Sequence, residues 1–147
     1  MISKITFEDD LHNAMRQKNE IAKNTIKILI SSIKMAEIEK GSSLDEATIL
    51  SIIQREIKMR RESIAEFTKG NRPDLIQTAE IEIQILQKYL PAQLSDEEIT
   101  IAAIETIKEI NAASPSDIGK VMKILIPKLS GKAPAERISA IVRSLLS

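Results

Sequence analysis

Six cationic side chains in the C-terminal quarter of the chain could bind a polyanion. Residues 114–147 contain six bases and only two acids, Asp117 and Glu136, so six minus two leaves a local excess of four positive charges. Lysine and arginine neutralise the phosphates of nucleic acids. The sequence therefore predicts RNA-backbone contacts from these six side chains: Lys120, Lys123, Lys128, Lys132, Arg137 and Arg143.

A second group of cations lies near the middle of the chain. Arg55, Lys58, Arg60 and Arg61 fall within two helical turns, and glutamates are interleaved with them. Such mixed charge is typical of a solvated helix face with internal ion pairs, and a phosphate-binding strip is the alternative. The sequence leaves both interpretations open.

Arg60 differs from its neighbours because it falls on an apolar helix seam. A guanidinium at such a position needs a carboxylate within reach. The short link at residues 70–73 makes the next helix return antiparallel, and counting outward from this turn places Glu82 level with Arg60. We predict an ion pair between them, which either fixes the helix register or belongs to a second patch. The seam residues recur at spacings of three and four: Leu50, Ile53, Ile57, Ile64 and Phe67.

Residue types suited to catalysis are scarce. Cysteine is absent, and His12 is the only histidine. The segment SGKA at 130–133 lacks the upstream glycine and the Ser or Thr after the lysine that a phosphate loop requires. Gly119 with Lys120, and Gly131 with Lys132, lie near predicted helix starts, where free backbone N–H groups favour anions. We predict no catalytic residue, no metal and no cofactor.

Helical periodicity and capping residues predict an all-α fold. An N-terminal helical bundle contains the long antiparallel hairpin, and a small three-helix domain follows. The second helix carries two apolar stripes, so we expect neighbours on two of its sides. One of these stripes comprises Ile21, Ile28, Met35 and Ile38. The predicted helices cover about residues 6–17, 20–40, 46–69, 74–90, 96–111, 115–126 and 135–146.

A domain boundary is predicted after the fourth helix. Pro91 ends that helix, and a capping box beginning at Ser95 starts the next one. We divide the chain into domains 1–93 and 94–147, with Tyr89 and Pro91 as the hinge. Pro127 should stop the sixth helix. The predicted core of the second domain contains Ile104, Ile107, Ile118, Val121, Met122, Leu125, Ile138, Ile141, Val142 and Leu145.

Composition limits the functions that the whole chain can have. The 21 basic and 21 acidic residues give a formal net charge of zero, so any electrostatic function must be local. Aromatic residues make up only 2%, which argues against base stacking on a sheet surface. No apolar run approaches the roughly 20 residues that a membrane span needs, and acids occur early in the chain, where a targeting segment would be basic. We expect a cytoplasmic protein without membrane contact.

Several motifs resemble the GatB/YqeY family in order and spacing across nearly the whole chain. They are IKMRRESI at 57–64, FTKGNRPDL at 67–75, EIEIQILQKYLP at 80–91, LSDEE at 94–98, and DIGKVM at 117–122, followed by Pro127 and GKA at 131–133. The resemblance implies an all-helical protein. It also implies a C-terminal domain similar to the RNA-contacting tail of the B subunit of the glutamyl/aspartyl-tRNA amidotransferase.

This resemblance implies an accessory role in tRNA biology, with tRNA or a protein of tRNA processing or aminoacylation as the partner. The resemblance also implies carbon-nitrogen ligase activity with glutamine as amido-N-donor. Glutamine hydrolysis needs a nucleophile that this sequence does not show, so we expect no activity without a partner subunit. Two alternatives stay open: a helical protein-interaction scaffold, and a ligase subunit that is active only in a complex.

Overall fold

The computed structural model describes residues 4–147, and within that range it is all-helical, which confirms the predicted fold class. The chain forms two compact units, one ending at Leu90 and the other comprising Pro91–Ser147. The helices are α1 Lys4–Arg16, α2 Glu20–Lys40, α3 Glu46–Lys69, α4 Pro73–Gln87, α5 Asp96–Ile110, α6 Ile118–Lys128 and α7 Ala135–Leu146, with a 3-10 turn at Pro115–Asp117 before α6.

Local signals set most helix ends. Gly41 ends α2 in the left-handed conformation with φ of 80°, which glycine adopts without strain. Asp45 caps α3 by accepting a hydrogen bond from the Thr48 amide, and Ser95 begins α5 with the predicted capping box. The α1 helix already includes Lys4 and Ile5, so the predicted start at Thr6 is wrong.

Pro127 does not stop the sixth helix. It lies inside α6, which continues to Lys128, and Leu129 still donates its amide hydrogen to the carbonyl of Leu125. A proline lacks its own N–H but does not remove the hydrogen bonds of the residues that follow it. The last turn therefore persists and brings Leu129 into the core of the second unit.

The first unit packs α1 to α4 around one core. Its interior is dominated by side chains that are almost completely inaccessible to solvent: Phe7, Leu29, Ile33, Ile53 and Leu86. The α3 and α4 helices form the predicted antiparallel hairpin, because only residues 70–72 separate them. This hairpin positions Arg60 and Glu82 on facing helix surfaces.

Most of the second apolar stripe of α2 is not covered, contrary to the prediction, and only Ile21 at its N-terminal end is half-buried. Ile28, Met35 and Ile38 are 48%, 65% and 80% exposed, respectively, whereas Leu29 and Ile33 on the other side are buried. Periodicity shows that a helix face is apolar, but the neighbours needed to bury it must come from the rest of the fold. The described part of the chain supplies neighbours for one side of α2 only.

The second unit packs α5, α6 and α7 around a separate core. Val121, Leu125, Ile138 and Val142 were predicted there and are buried, and the largely buried set also includes Ile99, Ala103, Leu129, Ala133 and Leu146. Ile104 and Leu145 are each 38% exposed and do not belong to it. The α5 helix turns Ile99, Ala103 and Thr106 inward, so positions 101 and 104 face outward.

Candidate nucleic-acid interface and buried arginine site

Arg137 is held by groups of its own unit, and 40% of its side chain is exposed. Its Nε donates to Oδ1 of Asp96 at 2.8 Å, and its Nη2 donates to the carbonyl of Leu94, also at 2.8 Å. These bonds connect the first turn of α7 to the start of α5. These bonds give Arg137 a structural role, and RNA contact through the exposed part of its side chain stays a prediction.

Lys120 is exposed but has an acidic neighbour. Its Nζ lies 3.7 Å from Oδ1 of Asp117, and 77% of its side chain is accessible. The Asp117 carboxylate also accepts hydrogen bonds from the amides of Ala113 and Ser114, at 3.0 and 3.3 Å. These two amides are the main reason that the pKa of Asp117 lies below its ordinary value, and Lys120 contributes less.

Some of the backbone amides around the two glycine-lysine pairs already have acceptors within the chain. Before Gly119, the amides of Asp117 and Ile118 already donate to the carbonyls of Ser114 and Pro115. At the second pair, the Lys132 amide donates to the Leu129 carbonyl, while the Gly131 carbonyl accepts from the Gln93 side chain. The amides of Asp117, Ile118 and Lys132 therefore serve turns of the backbone, and anion binding by the other amides of these pairs stays a prediction.

The other four predicted RNA contacts remain free. Lys123, Lys128, Lys132 and Arg143 are exposed, and none forms an ion pair within the part of the chain that the structure describes. Lys120 and Lys123 lie about 60° apart around the axis of α6, whereas Lys123 and Lys128 diverge by about 140°. Lys132 lies in the loop after α6.

Arg143 points away from the side of α7 that carries Arg137. Six residues separate them, which corresponds to about 120° around the helix. The two arginines therefore differ in role, since one is tied to Asp96 and the other reaches solvent in the last turn of α7.

Arg60 lies between two carboxylates in the first unit. Its Nε donates to Oε2 of Glu82 at 2.7 Å, and its Nη1 donates to Oε2 of Glu56 at 2.8 Å. Ser32 on α2 donates to the other oxygen of Glu56 at 2.9 Å. The predicted ion pair is thus present as part of a network that joins α2, α3 and α4.

This network is enclosed. The side chains of Arg60 and Glu56 are only 11% and 8% exposed, so a phosphate cannot reach the guanidinium. Glu56 and Ser32 were not predicted from the sequence. Glu56 could have been found, because it lies one helical turn before Arg60 and next to Ile57 on the same apolar seam.

The remaining cations of α3 occur at every third residue, so successive ones lie about 60° apart around the helix. Arg55, Lys58 and Arg61 are all exposed, and Met59 among them is 51% exposed. Arg55 and Arg61 are six residues apart and therefore diverge by about 120° around the helix. The solvated face and the phosphate-binding strip therefore both stay predictions for these cations.

Tyr89, predicted as part of a hinge with Pro91, is anchored in the first unit. Its hydroxyl donates to Oδ2 of Asp10 at 2.5 Å, and its ring meets that of Phe7 edge to face with centroids 4.9 Å apart. Burial, followed by the bond to Asp10, raises the pKa of the Tyr89 hydroxyl far above its ordinary value. Pro91 is the first residue of the second unit.

The residues that the structure describes contain neither a membrane-spanning helix nor a metal-binding cluster of side chains. Across residues 4–147 we find no helix with the length and apolar character to span a bilayer. The same residues contain no group of three or more His, Cys, Asp or Glu side chains arranged to hold a metal ion.

The family model for Yqey-like protein matches residues 4–146. The chain belongs to the YqeY-like protein family. This match covers both compact units and confirms the resemblance seen in the sequence motifs.

Curated relatives carry the name "Altered inheritance of mitochondria protein 41, mitochondrial". The relative from Lachancea thermotolerans is 37% identical over 118 residues, which cover 78% of this chain and 63% of that protein. The relative from Kluyveromyces lactis is 35% identical, covering 75% and 61%, and that from Saccharomyces cerevisiae is 32% identical, covering 86% and 67%. The chain spans about three-fifths of the length of the first two relatives.

These names correct one prediction from the sequence. We expected a cytoplasmic protein, but the relatives are named as mitochondrial proteins. The early acids in the chain were therefore a poor guide to location. The names state no catalytic activity and no ligand.

Proposed function

We propose that the C-terminal unit of this YqeY-like protein binds the phosphate backbone of a tRNA through Lys123, Lys128, Lys132 and Arg143. The observation that carries the proposal is that these four cations are exposed and have no acidic partner among residues 4–147. They belong to residues 114–147, which carry an excess of four positive charges. The whole chain has a formal net charge of zero. A local excess of positive charge of this kind favours polyanions without sequence preference.

The role we propose is that of an accessory module. The unit has no aromatic residue with which to stack a base, so it would hold RNA by its backbone and leave its identity to other contacts. The chain also lacks cysteine, a common nucleophile for glutamine hydrolysis. Any carbon-nitrogen ligase activity would then come from a partner subunit in the tRNA pathway.

The test is the salt dependence of tRNA binding. A labelled tRNA transcript is titrated with the full chain at several salt concentrations, and a variant with Lys123→Gln, Lys128→Gln, Lys132→Gln and Arg143→Gln is compared with the wild type. Each phosphate contact contributes roughly 0.7 to 0.9 to the slope of log K against log salt. Loss of four contacts should lower the slope by about 3.

A matched control removes the same charge from the other unit. Lys27→Gln, Lys34→Gln, Arg55→Gln and Arg61→Gln change four exposed cations that have no acidic partner in the described chain. We expect this variant to keep most of the slope. Equal losses in both variants would show that net charge alone attracts the RNA, and the proposal would be wrong.

A further inference from the structure

The outer side of α2 presents an apolar face that the described residues leave uncovered. Ile28, Met35 and Ile38 are 48%, 65% and 80% exposed. Their spacings of seven and three residues place them within an arc of about 80° on one side of the helix. The opposite side of α2 is packed into the core of the first unit through Leu29 and Ile33.

One edge of this face is cationic. Lys27 and Lys34 each precede an apolar member of the face and are also seven residues apart, so they lie on the same edge. Both are exposed, and neither forms an ion pair within residues 4–147. We use the name α2 outer face for Lys27, Ile28, Ser31, Lys34, Met35 and Ile38.

The C-terminal end of the face opens into a shallow depression. Its lining includes Ile38, Gly41 and Ser42, with Lys34 and Glu37 beside them. A Cβ added to Gly41 would meet no atom within 4 Å, so the space beside this turn is open. The depression lies at the C-terminal end of α2, beside Ile38.

We propose that the α2 outer face is a docking site for an acidic amphipathic helix of a partner protein. The apolar row would pack against the partner's own apolar stripe, and Lys27 and Lys34 would face its carboxylates. Unbranched, polarizable methionine suits such a contact because it adapts to the shape of its partner. Charge complementarity along one edge would set the orientation of the incoming helix.

Charge also argues against an antiparallel second copy of α2 as the occupant. In a twofold antiparallel pair of identical helices, the lysine-bearing edge of one helix meets the same edge of the other. Lys27 and Lys34 would then oppose one another across the contact, and like charges that face each other are unfavourable. An acidic partner removes this repulsion.

The experiment uses two synthetic helical peptides of about 18 residues, long enough to be partly helical in isolation. Both carry leucines at helical spacing, and one edge bears glutamates in the first peptide and lysines in its twin. Binding of each labelled peptide to the full chain is followed by fluorescence anisotropy. We expect the glutamate peptide to bind more tightly than its twin by at least about tenfold.

Two variants locate the contact. Met35→Ser with Ile38→Ser should weaken binding of the glutamate peptide by about tenfold or more, because both side chains lose their apolar contact. Lys27→Glu with Lys34→Glu should reverse the preference and favour the lysine peptide. The matched control, Met59→Ser with Ile101→Ser, changes side chains that are 51% and 60% exposed elsewhere and should leave binding unchanged.

Several outcomes would overturn this assignment. Equal binding of the two peptides, or unchanged binding to the Met35→Ser and Ile38→Ser variant, would rule out the α2 outer face as the site. Sedimentation equilibrium showing a dimer that this variant abolishes would make the face a contact between copies. Retention on vesicles of anionic lipid that the same variant abolishes, without peptide binding, would make it a membrane contact.

Discussion

Arg60 Nε and Glu82 Oε2 lie 2.7 Å apart and join the two helices of the α3–α4 hairpin. The same guanidinium donates to Glu56, so one cation is shared between two carboxylates. Ser32 donates to Glu56 from α2 and closes the network. Removing the cation would leave two acids in a poorly hydrated position, which is far more costly than losing an exposed ion pair.

Arg60→Met should lower the free energy of unfolding by about 3 kcal/mol, because Glu56 and Glu82 lose their common cation. Urea unfolding followed by circular dichroism measures this change. Lys69→Met is the control, since the pair of Lys69 with Glu66 has side chains that are 76% and 72% exposed. That control should cost no more than about 0.5 kcal/mol. Similar costs for both variants would contradict the enclosed network.

Tyr89 should ionise at unusually high pH, because burial and the bond to Asp10 both favour its neutral form. Ultraviolet absorbance reports this directly, since the chain has one tyrosine and no tryptophan. Asp10→Asn should lower the pKa of Tyr89, but burial should keep it above the ordinary value. Asp9→Asn, one residue away, should change nothing, and an equal effect would refute the contact.

The raised pKa of Tyr89 also has a consequence for stability in alkali. The unfolded tyrosine loses its proton near pH 10, whereas the folded one keeps it. The stabilising contribution is therefore complete below pH 10 and declines as the pH rises toward the pKa of the folded state. Between pH 9 and 11, wild type should lose more free energy of unfolding than Tyr89→Phe. A parallel decline in both proteins would disprove this linkage.

The lowered pKa of Asp117 should make the free energy of unfolding depend on pH in the opposite direction to that expected for Tyr89. Its pKa is lowered in the folded state, so its contribution is present above the unfolded value of about 4 and is lost as pH falls through the folded pKa. Asp117→Asn should therefore be less stable than wild type at pH 7, and the difference should shrink at pH 2.5. Thermal unfolding at both values checks this. Glu105→Gln, an exposed substitution in the same unit, should show no such convergence.

Substitutions of Arg137 and Lys128 should differ in their effects on protein stability and on RNA binding. Arg137→Gln should lower the free energy of unfolding by about 1 kcal/mol, because Asp96 and the Leu94 carbonyl lose their donor. Lys128→Gln should leave unfolding unchanged and reduce the salt slope of tRNA binding by about 0.7 to 0.9. The two measurements together test the different roles of these side chains. A larger loss of RNA affinity from Arg137→Gln than from Lys128→Gln would contradict them.

Much of the fold was predictable because its signals are local. Gly41, Asp45 and Ser95 act within one turn of the helix that each of them ends or begins. The register of Arg60 with Glu82 was also predictable, because three residues between α3 and α4 leave only an antiparallel return. Such features depend on short stretches of chain and on the constant geometry of the helix.

The sequence by itself determined an all-helical chain, its main helix ends, and the ion pair across the hairpin. Only the tertiary structure decided that Arg137 is bound to Asp96 and that Glu56 is enclosed with Arg60. It also decided that, among residues 4–147, Arg143 has no ion-pair partner and most of the outer stripe of α2 has no covering neighbour. The physical reason is that burial and pairing depend on which residues distant in sequence meet in space. Helical periodicity describes one helix at a time and carries no information about its neighbours.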